Sequence, residues 1–242
     1  MSKSFPKIVL LLILLSIPTT GFSQMFSVGG NGPTNSSPIA PYIRLGVTFV
    51  DFQYQGNPNA LIQRVPLSFS GEVAHFAYEA NGLTIGASFG NKLTGLNDRS
   101  YTGLYLNFEN PFYFIRKRNF AAGIPIKLAT KLTNVSSQNV RDGFSQTNVG
   151  VGAGVIVRAQ APENFGFSAQ LTPGIGFSTS SGGFFGGNVI SMTGKTRLNI
   201  YNVIFGKNLS LGYDYNFDSY DIDGEEFDYD FSGHTFTLGI SF

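Results

Sequence analysis

The sequence has no cysteine and no tryptophan, and it has few charged residues. Without cysteine the chain can form neither disulfides nor thiolate sites for catalysis or metal binding. Charged residues make up 13% of the chain, which is about half of the ~25% that is usual in soluble domains. The net charge is only +1, so there is no electrostatic basis for binding nucleic acid. We therefore expect no nucleic-acid partner and no cofactor.

Long apolar runs are also missing, except near the N-terminus. A basic start precedes an apolar run over 8–17, and small residues follow it. This order is typical of a secretory signal peptide, which is predicted over 1–23 with cleavage after Ser23. The run is too short to cross a bilayer, because a spanning helix needs ~20 apolar residues. A periplasmic segment is expected over 24–41, and the folded part over 42–242.

The rest of the chain is rich in glycine and in aromatic residues, and apolar and polar residues alternate along it. The C-terminal stretch 234–242 is the clearest case, because every even position after His234 is a large apolar residue and every odd position is threonine, glycine or serine. A period of two residues is typical of a β-strand. Nine further stretches of this kind predict about ten strands, within a range of eight to twelve.

The connections between the predicted strands alternate in length. Short ones lie at 81–82, 116–119, 161–164 and 206–208, and long ones at 55–64, 91–100, 133–143, 178–187 and 219–230. Membrane barrels have short periplasmic turns and longer outer loops, whereas a soluble sandwich has no reason to sort its loops in this way. The sequence therefore predicts an all-β fold, a transmembrane up-and-down antiparallel β-barrel whose apolar strand faces meet lipid. Pro111, Pro125 and Pro173 interrupt three of the strands, and a bulge is expected at Pro111.

The stretch 42–242 resembles the outer-membrane β-barrel proteins of Gram-negative bacteria. In that class the last strand alternates apolar residues and ends in phenylalanine, and the barrel-assembly machinery reads it as an insertion signal. Phe236, Leu238, Ile240 and Phe242 match this pattern. The resemblance implies a location in the outer membrane, in contact with its lipid and lipopolysaccharide. It implies no substrate.

Charged residues on the polar strand faces are predicted to line the lumen. These are Arg44, Glu72, Glu109, Lys127, Lys131, Arg158, Lys195, Arg197 and Asp214. They would serve either as the selectivity surface of a pore or as ion pairs that fill a small barrel. Ten strands leave little open space compared with the ~16 of a porin, which favours ion pairs. Glu72 and Asp214 are expected to pair with arginines across the lumen.

The two histidines, His75 and His234, are the first candidates for catalysis. His234 shares the predicted lipid face of the last strand with Ser232, and some outer-membrane enzymes use a Ser–His pair that faces lipid. Neighbours at i and i+2 are too far apart for a direct hydrogen bond of ~2.6–3.2 Å. We therefore interpret His234 as an interfacial side chain.

Two predicted outer loops contain motif-like sequences. The loop 218–230 holds seven acidic residues and resembles the start of a calcium loop, but it lacks the distal glutamate of an EF-hand, so metal binding there stays open. The glycine-rich stretch 180–187 lacks the lysine of a phosphate-binding loop. It is expected to be a flexible loop that exposes Phe184 and Phe185 to a partner or a hydrophobic ligand.

Three functions follow from this interpretation. The first is a structural or surface-interaction barrel that is not an enzyme, with a surface partner that the sequence does not identify. The second is a narrow channel or transporter for a small or hydrophobic solute. The third and most remote is a lipid-modifying outer-membrane enzyme.

Overall fold

The computed structural model describes residues 41–56, 67–96, 98–137, 140–161, 164–180, 186–222 and 228–242. The predicted signal peptide and nearly all of the predicted periplasmic segment lie outside these residues. The β-segments within them are β1 (Tyr42–Tyr54), β2 (Phe69–Ala80), β3 (Leu83–Gly90), β4 (Arg99–Lys117), β5 (Phe120–Ser137), β6 (Val140–Ala153), β7 (Val155–Ala161), β8 (Phe165–Ser180), β9 (Gly187–Ile204), β10 (Lys207–Ile222) and β11 (Tyr229–Ser241). None of the described residues forms a helix that is long and apolar enough to cross a membrane.

The strands form a closed antiparallel barrel. Each strand pairs with its neighbours in the chain, and β1 pairs with β11 so that the first and last strands close the wall. The segments β6 and β7 both lie between β5 and β8, and they are two halves of one strand. Within the described residues the wall therefore has ten strands, which confirms the predicted up-and-down barrel.

The break between β6 and β7 lies at Gly154, between prolines of the two neighbouring strands. Gly154 donates its N–H to the carbonyl of Pro125 on β5 at 3.3 Å. On the other side, β8 pairs with β6 as far as Gly152, opposite Gly174, and with β7 from Val155, opposite Leu171. The change of partner therefore falls at Pro173. A proline has no N–H to donate to a ladder, so the ladder weakens on both sides at the same level. A Cβ at Gly154 would collide with the backbone of β8, which explains a glycine there.

The bulge that the sequence predicts at Pro111 is not found there. Pro111 pairs in register with Pro125, and the irregularity between β4 and β5 falls between Tyr113 and Ile115. Pro111 also lies beyond Phe108, the last residue of β4 that pairs with β3. Its missing N–H therefore costs the β3–β4 ladder no hydrogen bond, and the strand continues without a bulge at this proline.

The tight turns lie at the end of the barrel where β1 begins and β11 ends. The turns Asn81-Gly82 and Phe205-Gly206 have positive φ at both residues, between +42° and +82°. This is the conformation of two-residue type I′ hairpin turns, which match the twist of the flanking strands. Glycine adopts it without strain, whereas Phe205 adopts it against the usual preference of a bulky residue. We call this the turn end and the opposite end the outer end.

The connections at the outer end are longer, with one exception. The sequence predicts a long loop over 133–143, but β5 continues to Ser137 and β6 begins at Val140. Only two residues lie between these strands, so this part of the prediction is wrong. The strands extend further towards the outer end than their apolar alternation indicates.

The outer surface of the barrel carries a belt of exposed apolar side chains near the turn end. We call it the apolar belt. Its members include Ile43, Leu45, Val47 and Phe49 on β1, Phe76 on β2, Ile85 and Phe89 on β3, Leu104 and Phe108 on β4, Ile124, Ile126 and Leu128 on β5, Val151 on β6, Val155 on β7, Phe167, Leu171 and Ile175 on β8, Ile190 and Leu198 on β9, Leu211 on β10, and Phe236, Leu238 and Ile240 on β11. A closed barrel with such a belt has the construction of a protein that spans an outer membrane.

Beyond the apolar belt, towards the outer end, the polarity of the wall reverses. The outward side chains become polar, and they include Asp51 and Gln53 on β1, Ser70 and Glu72 on β2, Ser100 on β4, Asn134 on β5 and Asn188 on β9. Inside the barrel at this level lies a cluster of buried apolar residues that we call the apolar plug: Val50, Phe52, Leu67, Val73, Leu96, Tyr101, Val135, Phe144, Val189, Tyr220, Ile222, Tyr229 and Phe231. This section is built like a water-soluble barrel, with its apolar face inside.

The orientation of β2 is opposite to the one the sequence predicts. Val73 is only 1% exposed and Ala77 2%, because both face the lumen, whereas Glu72 and Phe76 face outward. The prediction assumed that the apolar face of a strand meets lipid along its whole length. Val73 belongs to the apolar plug instead, so its face is apolar for a different reason. His75 consequently lies inside the barrel.

Two arginine substitutions on the outward face of β2 test this reversal. Phe76→Arg should lower the free energy of unfolding by about 2–4 kcal/mol, because the charge would lie in the apolar belt. Glu72→Arg should change it by less than about 1 kcal/mol, because the same face is polar at that level. Urea unfolding of the purified barrel in detergent or lipid measures both. Equal losses in the two variants would contradict the reversal.

Candidate functional site: the lumen

The lumen at the level of the apolar belt contains a polar cavity of about 100 Å³. Hydroxyl, imidazole and ammonium groups line it, including those of Thr48, His75, Ser88, Lys127 and Thr193. Its outer side is formed by residues of the apolar plug, and its other side by a network of ion pairs towards the turn end. The cavity therefore brings polar side chains from several strands together inside the barrel.

The network near the turn end joins four strands around the lumen. Arg197 of β9 forms a two-pronged pair with Asp214 of β10, with nitrogen–oxygen distances of 2.5 and 3.0 Å. Glu79 of β2 lies between two guanidinium groups, 2.5 Å from Arg44 Nε and 3.5 Å from Arg197 Nε. Arg44 also donates to the hydroxyl of Ser210 at 3.2 Å. Charges out of water need such partners, and these four largely neutralise one another.

Two further ion pairs cross the lumen. Lys195 Nζ lies 3.1 Å from Glu109 Oε2, and Gln170 donates to the same oxygen at 2.8 Å. Lys131 Nζ lies 2.6 Å from Asp218 Oδ2. Because these pairs connect β4 to β9 and β5 to β10, they link opposite sides of the wall and narrow the lumen between them.

Lys127 differs from the other buried cations. Its side chain is buried, with the residue 8% exposed, and Nζ donates to Thr193 Oγ1 at 2.7 Å. Among the described residues no carboxylate lies within ion-pair distance of this ammonium group. Lys127 also lines the polar cavity.

The nine charged residues that the sequence assigns to the lumen fall into three groups. Seven lie together inside the barrel: Arg44, Glu109, Lys127, Lys131, Lys195, Arg197 and Asp214. Arg158 lies apart from them near the turn end, with its guanidinium 5.3 Å from the ring centre of Tyr113. Glu72 faces outward, so its predicted pairing with an arginine is wrong, whereas Asp214 does pair with one.

Two carboxylates of the lumen were missed in the sequence. Glu79 forms the pair with arginine that was predicted for Glu72. The two residues lie on opposite faces of β2, so the orientation of this strand decides which of them enters the lumen. Asp218 was counted with the acidic loop 218–230, although β10 extends through it and turns its side chain towards Lys131. Asp214 and Asp218 are four residues apart, so they share one face of β10, and this spacing could have placed Asp218 in the lumen.

Inside the described part of the barrel, His75 forms hydrogen bonds with two hydroxyl groups, those of Ser88 and Tyr105. Ser88 Oγ lies 2.8 Å from His75 Nδ1, and Tyr105 OH lies 3.2 Å from Nε2. Both residues face the polar cavity, which is smaller than the ~300–1,000 Å³ of typical ligand pockets. His234 lies on the outer surface, as the sequence predicts, with Nδ1 2.9 Å from Tyr213 OH.

The predicted loops with motif-like sequences are only partly described. In the acidic loop, Asp228 Oδ1 accepts the N–H of Ile222 at 2.7 Å, and residues 223–227 lie outside the described part. Among the described residues no group of three or more histidines or carboxylates is arranged to hold a metal ion. In the glycine-rich loop, 181–185 lie outside the described part, so the exposure of Phe184 and Phe185 stays a prediction.

The sequence matches no protein-family model and no curated protein. Among solved structures, the chain is similar to the outer membrane protease OmpT from Escherichia coli, with 8% identity, a TM-score of 0.46, and coverage of 85% of this chain and 97% of that chain. It is also similar to Neisserial surface protein A, with 11% identity, a TM-score of 0.31, and coverage of 84% and 97%. The attachment invasion locus protein Ail of Yersinia pestis gives 14% identity, a TM-score of 0.28, and coverage of 84% and 97%.

Likenesses of this strength assign no function to the chain. Its own geometry is sufficient for the class: a closed ten-strand barrel within the described residues, with an apolar belt outside and polar residues inside. Barrels of this construction lie in the outer membranes of Gram-negative bacteria. The chain is an outer-membrane β-barrel.

The roles of the lumen carboxylates can be tested by paired substitutions. Asp214→Asn should lower the free energy of unfolding by about 3 kcal/mol, because it removes the main partner of a buried arginine. Glu72→Gln should change it by less than ~0.5 kcal/mol, because Glu72 is exposed on the outer surface. Urea unfolding followed by the shift of the folded band in gel electrophoresis measures both. A large loss for Glu72→Gln would restore the predicted pairing and contradict the orientation of β2.

Proposed function

We propose that this chain is a non-conducting outer-membrane barrel with a structural and surface-interaction role, and that it is neither a channel nor an enzyme. The apolar plug is the observation that carries this proposal. Phe52 and Tyr229 stack with ring centres 4.4 Å apart, and the ring of Phe144 lies 5.0 Å from Phe52 and 5.1 Å from Tyr229. Phe52 is completely buried, so this packing leaves no aqueous path between the rings.

The arrangement of charges supports the same proposal. An ion that entered from the turn end would have to separate the pairs around Arg197 and Glu79, and it would then meet the apolar plug. Hydrophobic constrictions oppose conduction because water leaves them. A narrow channel, the second function considered from the sequence, would need both barriers to open.

The outer section of the barrel favours a role at the cell surface. Above the apolar belt most of the strands continue, with polar outward side chains and the apolar plug inside. Such a section has its own apolar core, and it presents polar groups to the medium and to lipopolysaccharide. This surface therefore suits a partner that binds through polar groups.

The polar cavity gives little support to catalysis. Ser88 and His75 have the spacing of a nucleophile and a base, but the cavity beside them holds only about 100 Å³. The apolar plug lies between it and the outer end of the barrel, and the ion pairs lie between it and the turn end. A lipid acyl chain could not reach Ser88 without unpacking one of them.

Planar-bilayer recording tests the proposal against a channel. The wild-type barrel should show no steady conductance, because the lumen is closed at two levels. A variant that weakens both barriers, with Phe52→Ser and Phe144→Ser in the apolar plug and Glu79→Gln in the ion-pair network, should show brief small openings, since water and ions could then cross the lumen. A matched variant with Phe49→Ser and Phe89→Ser, which alters only the apolar belt, should remain silent. Large, stable openings of the wild type would contradict the proposal.

We also propose that the last strand acts as the signal for the barrel-assembly machinery. Phe236, Leu238, Ile240 and Phe242 all face outward and are 43–55% exposed. The strand β11 lies beside β1 and closes the wall. An apolar edge at the end of the chain would therefore be available to the machinery until closure.

Two substitutions at the turn end test the assembly signal. Phe242→Asp should strongly reduce the amount of folded barrel in the outer membrane, because it disrupts the terminal apolar position. Phe205→Asp should leave that amount unchanged, because Phe205 is 99% exposed in a type I′ turn where aspartate is favoured. Cell fractionation with heat-modifiability on gels is the measurement. Normal assembly of Phe242→Asp would refute the signal.

A further inference from the structure

The charges inside the barrel do not balance, and the imbalance lies at one residue. Around the cavity and the network, the described lumen contains five basic side chains, Arg44, Lys127, Lys131, Lys195 and Arg197, and four carboxylates, Glu79, Glu109, Asp214 and Asp218. Each carboxylate lies within ion-pair distance of at least one of the other four bases. The surplus positive charge therefore falls on Lys127.

The surroundings of Lys127 leave part of its charge unsatisfied. An ammonium group has three N–H donors, and Thr193 accepts one of them at 2.7 Å. A buried charge without a carboxylate partner is costly unless water or an ion solvates it. Lys127 faces the polar cavity, so whatever occupies the cavity must complete its coordination.

The cavity has the size and the chemistry for a small anion. Its volume of about 100 Å³ exceeds the ~30 Å³ that one water molecule occupies in the liquid, so a halide-sized ion and one or two waters would fit. Besides Lys127 the lining includes Lys131, Lys195 and the hydroxyls of Thr172 and Thr193. These groups can donate hydrogen bonds or place positive charge near an anion. The carboxylates of Asp214 and Asp218 also line it, but each is paired with a base, Asp214 with Arg197 and Asp218 with Lys131.

We propose that the lumen binds one small monovalent anion of halide size beside Lys127. The anion balances the surplus charge and accepts hydrogen bonds from the ammonium group. The apolar plug lies towards the outer end of this site and the ion-pair network towards the turn end. The site stabilises the closed barrel and does not depend on whether the barrel has a surface partner.

Refolding in different sodium salts tests the site. The barrel is refolded from urea in sodium bromide or in sodium gluconate at equal ionic strength, because gluconate is too large for the cavity. Bromide should stabilise the wild type in a saturable way, and at ten times its dissociation constant it should raise the folded-to-unfolded ratio about elevenfold. Lys127→Met should lose this dependence, whereas Lys117→Met, the same change on an exposed lysine of β4, should retain it.

A crystal of the wild-type barrel grown from bromide provides a second measurement if Lys127→Met does not fold. An anomalous bromide peak in contact with Lys127 Nζ would support the site. Bromide peaks on the outer surface alone would overturn it. Equal stabilisation by bromide and gluconate would also overturn it, as would a bromide effect that persists in Lys127→Met, because each would indicate a general salt effect.

Discussion

Every strand of a closed barrel places alternate side chains on opposite sides of one wall, so each side chain must match the medium on its own side. In this chain the two media exchange places along the barrel axis. At the level of the apolar belt, lipid lies outside and polar groups lie inside. Towards the outer end, water lies outside and the apolar plug lies inside. The orientation of the strands, the apolar plug and the buried charges all depend on this exchange.

The exchange explains which parts of the fold could be predicted from the sequence. The last strand was assigned correctly because Phe236 and Leu238 lie in the belt, where apolar means lipid-facing. On β2 the apolar Val73 lies in the plug, and the same rule gave the wrong face. Local alternation reports that one side of a strand is apolar, but it does not report which medium that side meets. The level of each residue along the axis is set by register and strand tilt, which only the closed barrel defines.

The lumen could be predicted in composition but only partly in pairing. The alternation of positions along each strand correctly placed Arg197 and Asp214 on the lumen face of two adjacent strands. Their contact follows from that adjacency. The contact of Lys195 with Glu109 crosses the barrel, and no short-range pattern encodes such a distance. Glu79 was missed because the face of β2 was misassigned. These ion pairs narrow the lumen, so the error in one strand also changed which carboxylate takes part in them.

The apolar plug and the polar outer section are consequences of the same construction. A barrel with polar groups throughout its lumen would admit water from both ends, whereas the plug removes water from the outer half. The cavity lies between the plug and the ion pairs, and Lys127, which has no carboxylate partner among the described residues, is largely buried beside it. The polar outer wall above the belt requires this plug, because a section outside the membrane needs an apolar core of its own.

Spin labels along β1 test the exchange of media most directly. Because the chain has no cysteine, single cysteines can be introduced at Leu45, Val47, Phe49, Asp51 and Gln53, which all point outward. Labels at the first three positions should collide with oxygen dissolved in lipid and not with a water-soluble nickel complex. Labels at Asp51 and Gln53 should show the opposite preference. A lipid-like response at all five positions, or a water-like response at all five, would contradict a barrel whose polarity reverses along its axis.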